Sequence, residues 1–340
     1  MPPEVVAAME RASRSYVSVD QLGLAVGRFV ADLVGVPAVY VSCGAASGMQ
    51  LAAAACLTGT DRARVEALPE VAAGRPREFV VPMVDVHAYI YQLIAAVGGV
   101  VVGVGSMEEG VTVEQVRAAV GEHTAGILYY LGPQPREQLE PMAAVAREAG
   151  VPLIVDAAAQ LPPRSNLRDM VEGGAGLAVF SGGKGLRGPQ SSGLMLGDPQ
   201  LVEAAHLNSS PASAVGRGMK VGKEELLGVA AAVELFLSGS DDGDLAEWQA
   251  RCELVRDAIA GRGGIRTSIV HDGALTHPAF TPRVRIDFAD EARIPEVARA
   301  LREGEPAIQL GARAGLLYFD PMTLLPGETE IVAARLHEAL

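Results

Sequence analysis

Seven short apolar runs, separated by stretches with helical spacing, constrain this chain more than any single residue. They fall at 38–42, 78–83, 100–104, 125–130, 152–155, 177–180 and 192–196. Between them, 89–97, 112–120 and 136–149 carry apolar residues at helical intervals, and Thr112 stands where it can cap its helix, with Glu114 and Gln115 in the first turn. Strands alternating with helices of this length mean βαβ units and a mostly parallel sheet. The expected fold is α/β, with a seven-stranded, mostly parallel sheet covered by helices on both faces. Ahead of it, Leu22, Val26, Phe29, Val30 and Leu33 mark one helix face, and Gly35 and Pro37 end it.

The rhythm changes at 224. A helix over 224–237, an acidic break at 239–244 and a helix over 245–260 precede strands near 265–270, 283–288, 308–310 and 315–319, with helices at 295–302 and 328–340. The pattern predicts a large domain over 1–223 and a smaller α+β domain over 224–340 with a connecting helix. The N-terminal helix is free to join the small domain or a dimer interface.

Net charge is −13, from 41 acidic and 28 basic residues. An acidic surface gives no attraction for a nucleic-acid backbone. No uncharged apolar run reaches the roughly 18 residues of a membrane helix, and Met1-Pro2-Pro3-Glu4 does not read as a signal peptide. Cys43, Cys56 and Cys252 are too scattered for a disulfide scaffold and read as small buried residues. The expectation is a cytoplasmic protein that meets no membrane, whose mean hydropathy of +0.23 reflects apolar surface at a subunit interface.

Of the 28 basic residues only Lys184, Lys220 and Lys223 are lysines. Lys184 lies in a glycine-rich turn after a strand. A primary amine held there can form an imine with a carbonyl cofactor; an ordinary loop lysine or an anion contact is the plainer alternative. Asp156 ends the run 151–155, a strand buried on both faces, so its carboxylate needs a partner. The ring nitrogen of pyridoxal 5'-phosphate suits it; otherwise Asp156 caps a helix over 157–160. Gly44-Ala45-Ala46-Ser47-Gly48 can hold a phosphate at a helix N-terminus, and Ser181 can add a hydroxyl.

His87 can cover one face of a flat cofactor or handle protons, or be a polar loop residue. The other histidines are scattered and form no metal-binding pattern, and the nucleotide and hydrolase motifs are absent from the sequence. Arg187, Arg217, Lys220 and Lys223 form the main basic concentration, suited to a phosphate or an anionic substrate, or to pairing with the protein's own acids. Arg283 and Arg285 alternate on a strand, and Arg313 lies in a loop; Arg283 and Arg313 are further candidates for a substrate carboxylate.

The segment Phe180-Ser181-Gly182-Gly183-Lys184-Gly185-Leu186-Arg187-Gly188-Pro189-Gln190-Ser191-Ser192-Gly193 resembles the cofactor-lysine segment of the selenocysteine-synthase-like (seryl-tRNA selenium transferase-like) pyridoxal-phosphate enzymes. Within them the resemblance is closest to the D-glucosaminate-6-phosphate ammonia-lyase branch. Asp156-Ala157-Ala158-Ala159 resembles the ring-nitrogen segment, Ser42-Cys43-Gly44-Ala45-Ala46-Ser47-Gly48 the phosphate turn, and 216–225 the stretch after the lysine. The resemblance implies the fold-type-I aminotransferase architecture and a homodimer, or a higher oligomer of dimers, with its sites at the dimer interface. It assigns Lys184 to the Schiff base, Asp156 to the pyridine nitrogen, Gly44, Ala45, Ala46, Ser47 and Ser181 to the phosphate, and His87 to the ring. Family members usually carry a further stretch, with an Asn/Gly/Thr-rich turn, ahead of the segment equivalent to Pro2-Pro3-Glu4-Val5. On that comparison the start lies too late or a wall of the site is missing. On the same comparison the expectation is a chain without the tRNA-associated N-terminal domain of the selenium transferases, and so without a tRNA substrate.

The chemistry so implied is removal of an α-proton by Lys184 and β-elimination, giving a 2-keto acid and ammonia from a hydroxy-amino acid or amino-sugar acid, with or without a phosphate. Racemisation, transamination, aldol cleavage and β-replacement share the first steps. A decayed paralogue acting only as a partner protein is the non-enzymatic alternative.

Overall fold

A computed structural model describes residues 1–84, 89–271, 280–313 and 315–340, the side chain of Arg313 excepted. The chain divides into two compact units, Met1–Ser238 and Gly239–Leu340.

The first unit is built on seven strands: β1 (Ala38–Ser42), β2 (Glu78–Pro82), β3 (Val100–Val104), β4 (Thr124–Tyr130), β5 (Leu153–Asp156), β6 (Leu177–Ser181) and β7 (Gly193–Gly197). Their order across the sheet is β1-β7-β6-β5-β4-β2-β3. From β6 outward to β3 the pairs are parallel, whereas β7 runs against both β6 and β1. Two reversals restore direction, so β1, β4, β5 and β6 all end on one edge of the sheet.

Around it lie α1 (Pro3–Ser13), α2 (Val19–Val34), α3 (Ala45–Thr58), α4 (Arg62–Ala67), α5 (Tyr89–Ala96), α6 (Val113–Ala119), α7 (Leu139–Ala149), α8 (Asn166–Glu172), α9 (Pro199–Leu207) and α10 (Lys223–Ser238). Every residue of β4, β6 and β7 is buried. Along β4, Ile127 and Tyr129 belong to one core, with α2, α6, α7, α8 and α10, and Leu128 and Tyr130 to the other, with α3, α5 and α9. Helices on both faces explain why these strands read as unbroken apolar runs. Each large apolar side chain so buried contributes about 1.5–3 kcal/mol.

Local signals account for several helix ends. Thr112 and Gln115 form a reciprocal capping box at α6. Gly35 closes α2 in the left-handed conformation at φ 78°. Three features correct the sequence reading. Residues 157–160 form a turn, with the Gln160 N–H donating to the Ala157 carbonyl at 3.0 Å, rather than a helix. The short helices α4, α8 and α9 were not anticipated. The boundary between the units falls after α10 rather than at 223/224, because α10 buries Leu226, Val229, Val233 and Phe236 in the core of the first unit, where it packs on α1 and α2.

The second unit has α11 (Asp241–Ala258), β8 (Ile265–Val270), β9 (Arg283–Phe288), α12 (Arg293–Glu303), β10 (Gly311–Arg313), β11 (Leu316–Phe319) and α13 (Glu328–Ala339). Its sheet is antiparallel, in the order β10-β11-β9-β8. On β9, Val284, Ile286 and Phe288 enter the core and alternate with Arg283, Arg285 and Asp287. The acidic stretch expected as a break is the first turn of α11. Ser240 caps it by accepting from the Gly243 N–H at 3.1 Å, and Asp241, Asp242 and Asp244 lie at the positive end of the helix dipole. The strand expected at 308–310 lies instead at β10.

Among the described residues, no helix is long and apolar enough to cross a membrane.

Candidate active site

The strand ends at one edge of the first sheet gather the main candidates. Ser42 of β1 and Ser181 of β6 are both paired in register with Gly193 of β7. One residue of the reversed strand therefore holds two turns side by side, one leading to Gly44 and the other to Lys184. On the next strand, Asp156 pairs with Val179, and beyond it Tyr130 pairs with Asp156.

The turn after β1 opens directly into α3. Gly44 occupies the cap position at φ 145° and offers no side-chain cap. The first N–H groups of α3, on Ala45, Ala46 and Ser47, have no partner within the helix. With the helix dipole they are suited to an anion. Ser42 Oγ and Ser47 Oγ both donate to the Gly44 carbonyl, at 2.8 and 2.7 Å, and fix the turn. Gly193 packs beneath it: a Cβ there would lie 2.7 Å from the Gly44 carbonyl carbon and 2.8 Å from Ala45 N.

Lys184 rides on a loop that folds back on itself. Gly182 donates to the Ser192 carbonyl at 2.9 Å, Gly188 to the Gly182 carbonyl at 2.8 Å, and Arg187 to the Lys184 carbonyl at 2.8 Å. A Cβ on Gly185 would meet the Leu161 carbonyl oxygen at 2.2 Å, so the lysine must be flanked by a residue without a side chain. Lys184 itself is half-buried, and its amine makes no hydrogen bond or ion pair with any described residue.

Asp156 is half-buried at the end of β5, and its Oδ1 accepts the Ala158 N–H at 3.0 Å. Ala157 N–H donates to Val179 O at 2.9 Å, which stitches this turn to β6. Ser181 is buried at the head of the lysine loop.

The remaining candidates divide. His87 lies outside the described residues. Arg187 is half-buried on the lysine loop. Arg217 and Lys220 are exposed, and Arg217 donates to the Ser210 hydroxyl at 3.0 Å. Lys223, grouped with them in the sequence, serves the fold instead. Its Nζ donates to the Ala12 and Ser13 carbonyls at 2.9 and 3.1 Å, at the end of α1, and pairs with Glu224 at 2.6 Å. In the second unit, Arg283 stacks its guanidinium 4.7 Å over the Tyr318 ring, and Arg285 pairs with Asp287 at 2.6 Å. Arg313 lies on β10, and its side chain is outside the described residues.

Sequence reasoning passed over Gly193, whose part depends on a strand register that no local pattern carries. The thiols of Cys56 and Cys252 are pushed up to about 12 by burial, which makes them inert, whereas Cys43 stands half-buried in the turn before α3 with Sγ 3.3 Å from Ser47 Oγ.

A cavity of about 310 Å³ lies elsewhere in this unit, against α2, β1 and α9. It is lined by Asp20, Leu24, Val39, Tyr40, His206 and Met219, and none of the lysine loop borders it. The loop geometry and the unpartnered amine, rather than this cavity, mark the site.

No protein-family model matches the chain. It is 33% identical to 5'-C-glycyluridine monooxygenase-decarboxylase from Streptomyces sp., over 99% of this chain and 85% of that protein. It is 31% identical to D-glucosaminate-6-phosphate ammonia lyase from Salmonella typhimurium, over 99% of this chain and 90% of that protein. A solved structure of D-glucosaminate-6-phosphate ammonia-lyase superposes with a TM-score of 0.80 at 29% identity, covering 100% of this chain and 91% of the other. Serine palmitoyltransferase from Sphingomonas wittichii shares the fold, with a TM-score of 0.63 at 15% identity over 100% of this chain and 84% of the other.

Proposed function

The chain belongs to the fold-type-I pyridoxal-phosphate enzymes, closely related to D-glucosaminate-6-phosphate ammonia-lyase, and we propose that it is a lyase releasing a 2-keto acid and ammonia from an amino acid or amino-sugar acid. The observation that carries this reading is the placement of Lys184 and Asp156. An amine with no partner among the described residues follows β6 and a carboxylate ends the adjacent β5, beside the uncapped N-terminus of α3.

These residues fit the cofactor. The N–H groups of Ala45, Ala46 and Ser47 would take its phosphate, with the dipole of α3 favouring the charge and the Ser181 hydroxyl adding a donor. Asp156, oriented by Ala158, would hold a proton on the ring nitrogen. The Lys184 amine would hold the aldehyde. When bound, pyridoxal phosphate supplies that aldehyde and a ring that draws the electron pair from the substrate's α-carbon.

Lys184 then acts twice. Its amine would hold the cofactor's aldehyde and, when not engaged there, would accept the substrate's α-proton at Nζ. Its half-buried setting limits competing water. Loss of a β-hydroxyl as water, followed by hydrolysis, yields the keto acid and ammonia. The relative named as a monooxygenase-decarboxylase favours a second reading, in which the same apparatus removes a carboxyl group with uptake of oxygen.

We also infer a homodimer. Tyr16, Val17, Val19, Leu24 and Phe29 expose apolar surface before and along α2, which a second copy would cover. Sedimentation of the holoprotein tests this, and a monomer at working concentration would refute it.

The test of the function is an absorbance spectrum before and after borohydride, with mass mapping of the adduct, then a substrate screen. A visible band that collapses to a label on Lys184 supports the site. Ammonia with keto acid then supports the lyase; oxygen uptake with carbon dioxide supports the second reading. A protein with no band after addition of pyridoxal phosphate would overturn both.

A further inference from the structure

Arg187 follows Lys184 on the same loop and holds φ at +53°, in the left-handed region that side chains rarely adopt. Among the described residues it is the one non-glycine residue with positive φ. The loop already contains Gly182, Gly183, Gly185 and Gly188, and glycine would be the unstrained residue at 187 as well. An arginine stands there instead. It is half-buried, and its guanidinium makes no hydrogen bond, ion pair or ring contact with any described residue. Arg136, Arg285 and Arg335 each reach a carboxylate of the protein, and the chain has 41 acidic residues to offer. Five donors left without an acceptor, on a residue kept in an unfavourable backbone state, are suited to an oxyanion from outside the chain.

We propose that Arg187 anchors the acid group of the substrate, so that the substrate carries a carboxylate or phosphate beside its amine. This rests on Lys184 being the amine that meets the substrate. The hydrogen bond from Arg187 N–H to the Lys184 carbonyl, 2.8 Å, closes a turn of the kind that brings its end α-carbons within about 7 Å. An acid group attached near the amine-bearing carbon of the substrate then lies within reach of the guanidinium. Glycine would relieve the backbone but supply no charge, and amines lacking an acid group are discriminated against by the loss of this contact.

The test compares wild-type holoenzyme with R187G, R187A and R187K. Each is titrated with serine, ethanolamine, O-phosphoserine and phosphoethanolamine, following the cofactor's visible band, and each is melted. Wild type should prefer serine or phosphoethanolamine to ethanolamine by roughly tenfold to a hundredfold, and which of the two is preferred tells carboxylate from phosphate. R187G and R187A should lose the preference and R187K retain part of it. R187G should melt about 2 °C above R187A, because only glycine relieves the backbone. An unchanged preference in R187G would overturn the anchor. So would R187G and R187A melting together well below wild type, which would make the guanidinium a structural support. A loaded wild type whose band none of the four probes moves would overturn the anchor and leave the cofactor site standing. A wild type that takes up no cofactor would overturn the reading of Lys184, and the anchor with it.

Discussion

The Cβ that Gly193 lacks would stand 2.8 Å from the backbone nitrogen of Ala45, so strand β7 and the head of α3 touch through their main chains. Gly193→Ala must therefore displace the turn proposed to hold the phosphate. It should cost about 1–3 kcal/mol of stability through overpacking and weaken binding of pyridoxal phosphate, read by cofactor titration and denaturant melts. Wild-type affinity in this variant would show that the turn can shift without harm.

Asp156→Asn keeps an oxygen to accept the Ala158 N–H and removes the charge. The fold and the proposed covalent link at Lys184 should survive, while turnover falls roughly 100-fold or more. Steady-state kinetics alongside the borohydride assay separates the two effects; unchanged turnover would sink the role given to the carboxylate.

Lys223→Met should lower stability by about 1–2 kcal/mol, because the carbonyls of Ala12 and Ser13 lose the donor that closes α1. The cofactor band should be unaffected, since this lysine is occupied away from the loop. Hydrogen exchange over residues 3–13 provides the check: protection there should drop in the variant.

Alkali should loosen the protein. The thiols of Cys56 and Cys252 rise from an ordinary value of 9.0 to about 12, because burial disfavours the thiolate. Burial likewise raises the phenols of Tyr40 and Tyr129. The folded chain keeps these protons where the unfolded chain loses them. Their stabilising contribution is complete below the unfolded values and disappears as pH climbs through the folded ones. The unfolding free energy from urea titrations should fall between about pH 9 and pH 11, by up to a few kcal/mol. Cys56→Ala should flatten part of that slope, and a flat wild-type profile would contradict the burial argument.

Much of the first unit was readable because two-sided burial writes a strand as an unbroken apolar run, and because Thr112, Gly35 and the glycines beside Lys184 are local signals. The direction of β7 was not readable: period and polarity are the same whichever way a strand runs. The acids at 241–244 looked like a break because charge suits a loop and a helix's first turn equally. Lys184, Asp156 and Gly44 could be named singly from residue type and position, but Gly193 and the latch made by Lys223 depend on contacts between distant segments. The left-handed φ of Arg187 is likewise invisible in its identity, since arginine is an unusual choice for that backbone.

The reversed strand also sets an order of events. Among the described residues β1 is hydrogen-bonded to β7 alone within its sheet, so the earliest described strand to leave the ribosome waits for the last strand of that sheet before it has a partner. Ser42 and Gly193 pair only after the intervening strands and helices have been made, a long-range closure of the kind that slows folding. The turn proposed to hold the phosphate is thus completed at the end of assembly, and a nascent chain stopped short of Gly193 would present β1 as an open edge, exposed to chaperones or to other chains.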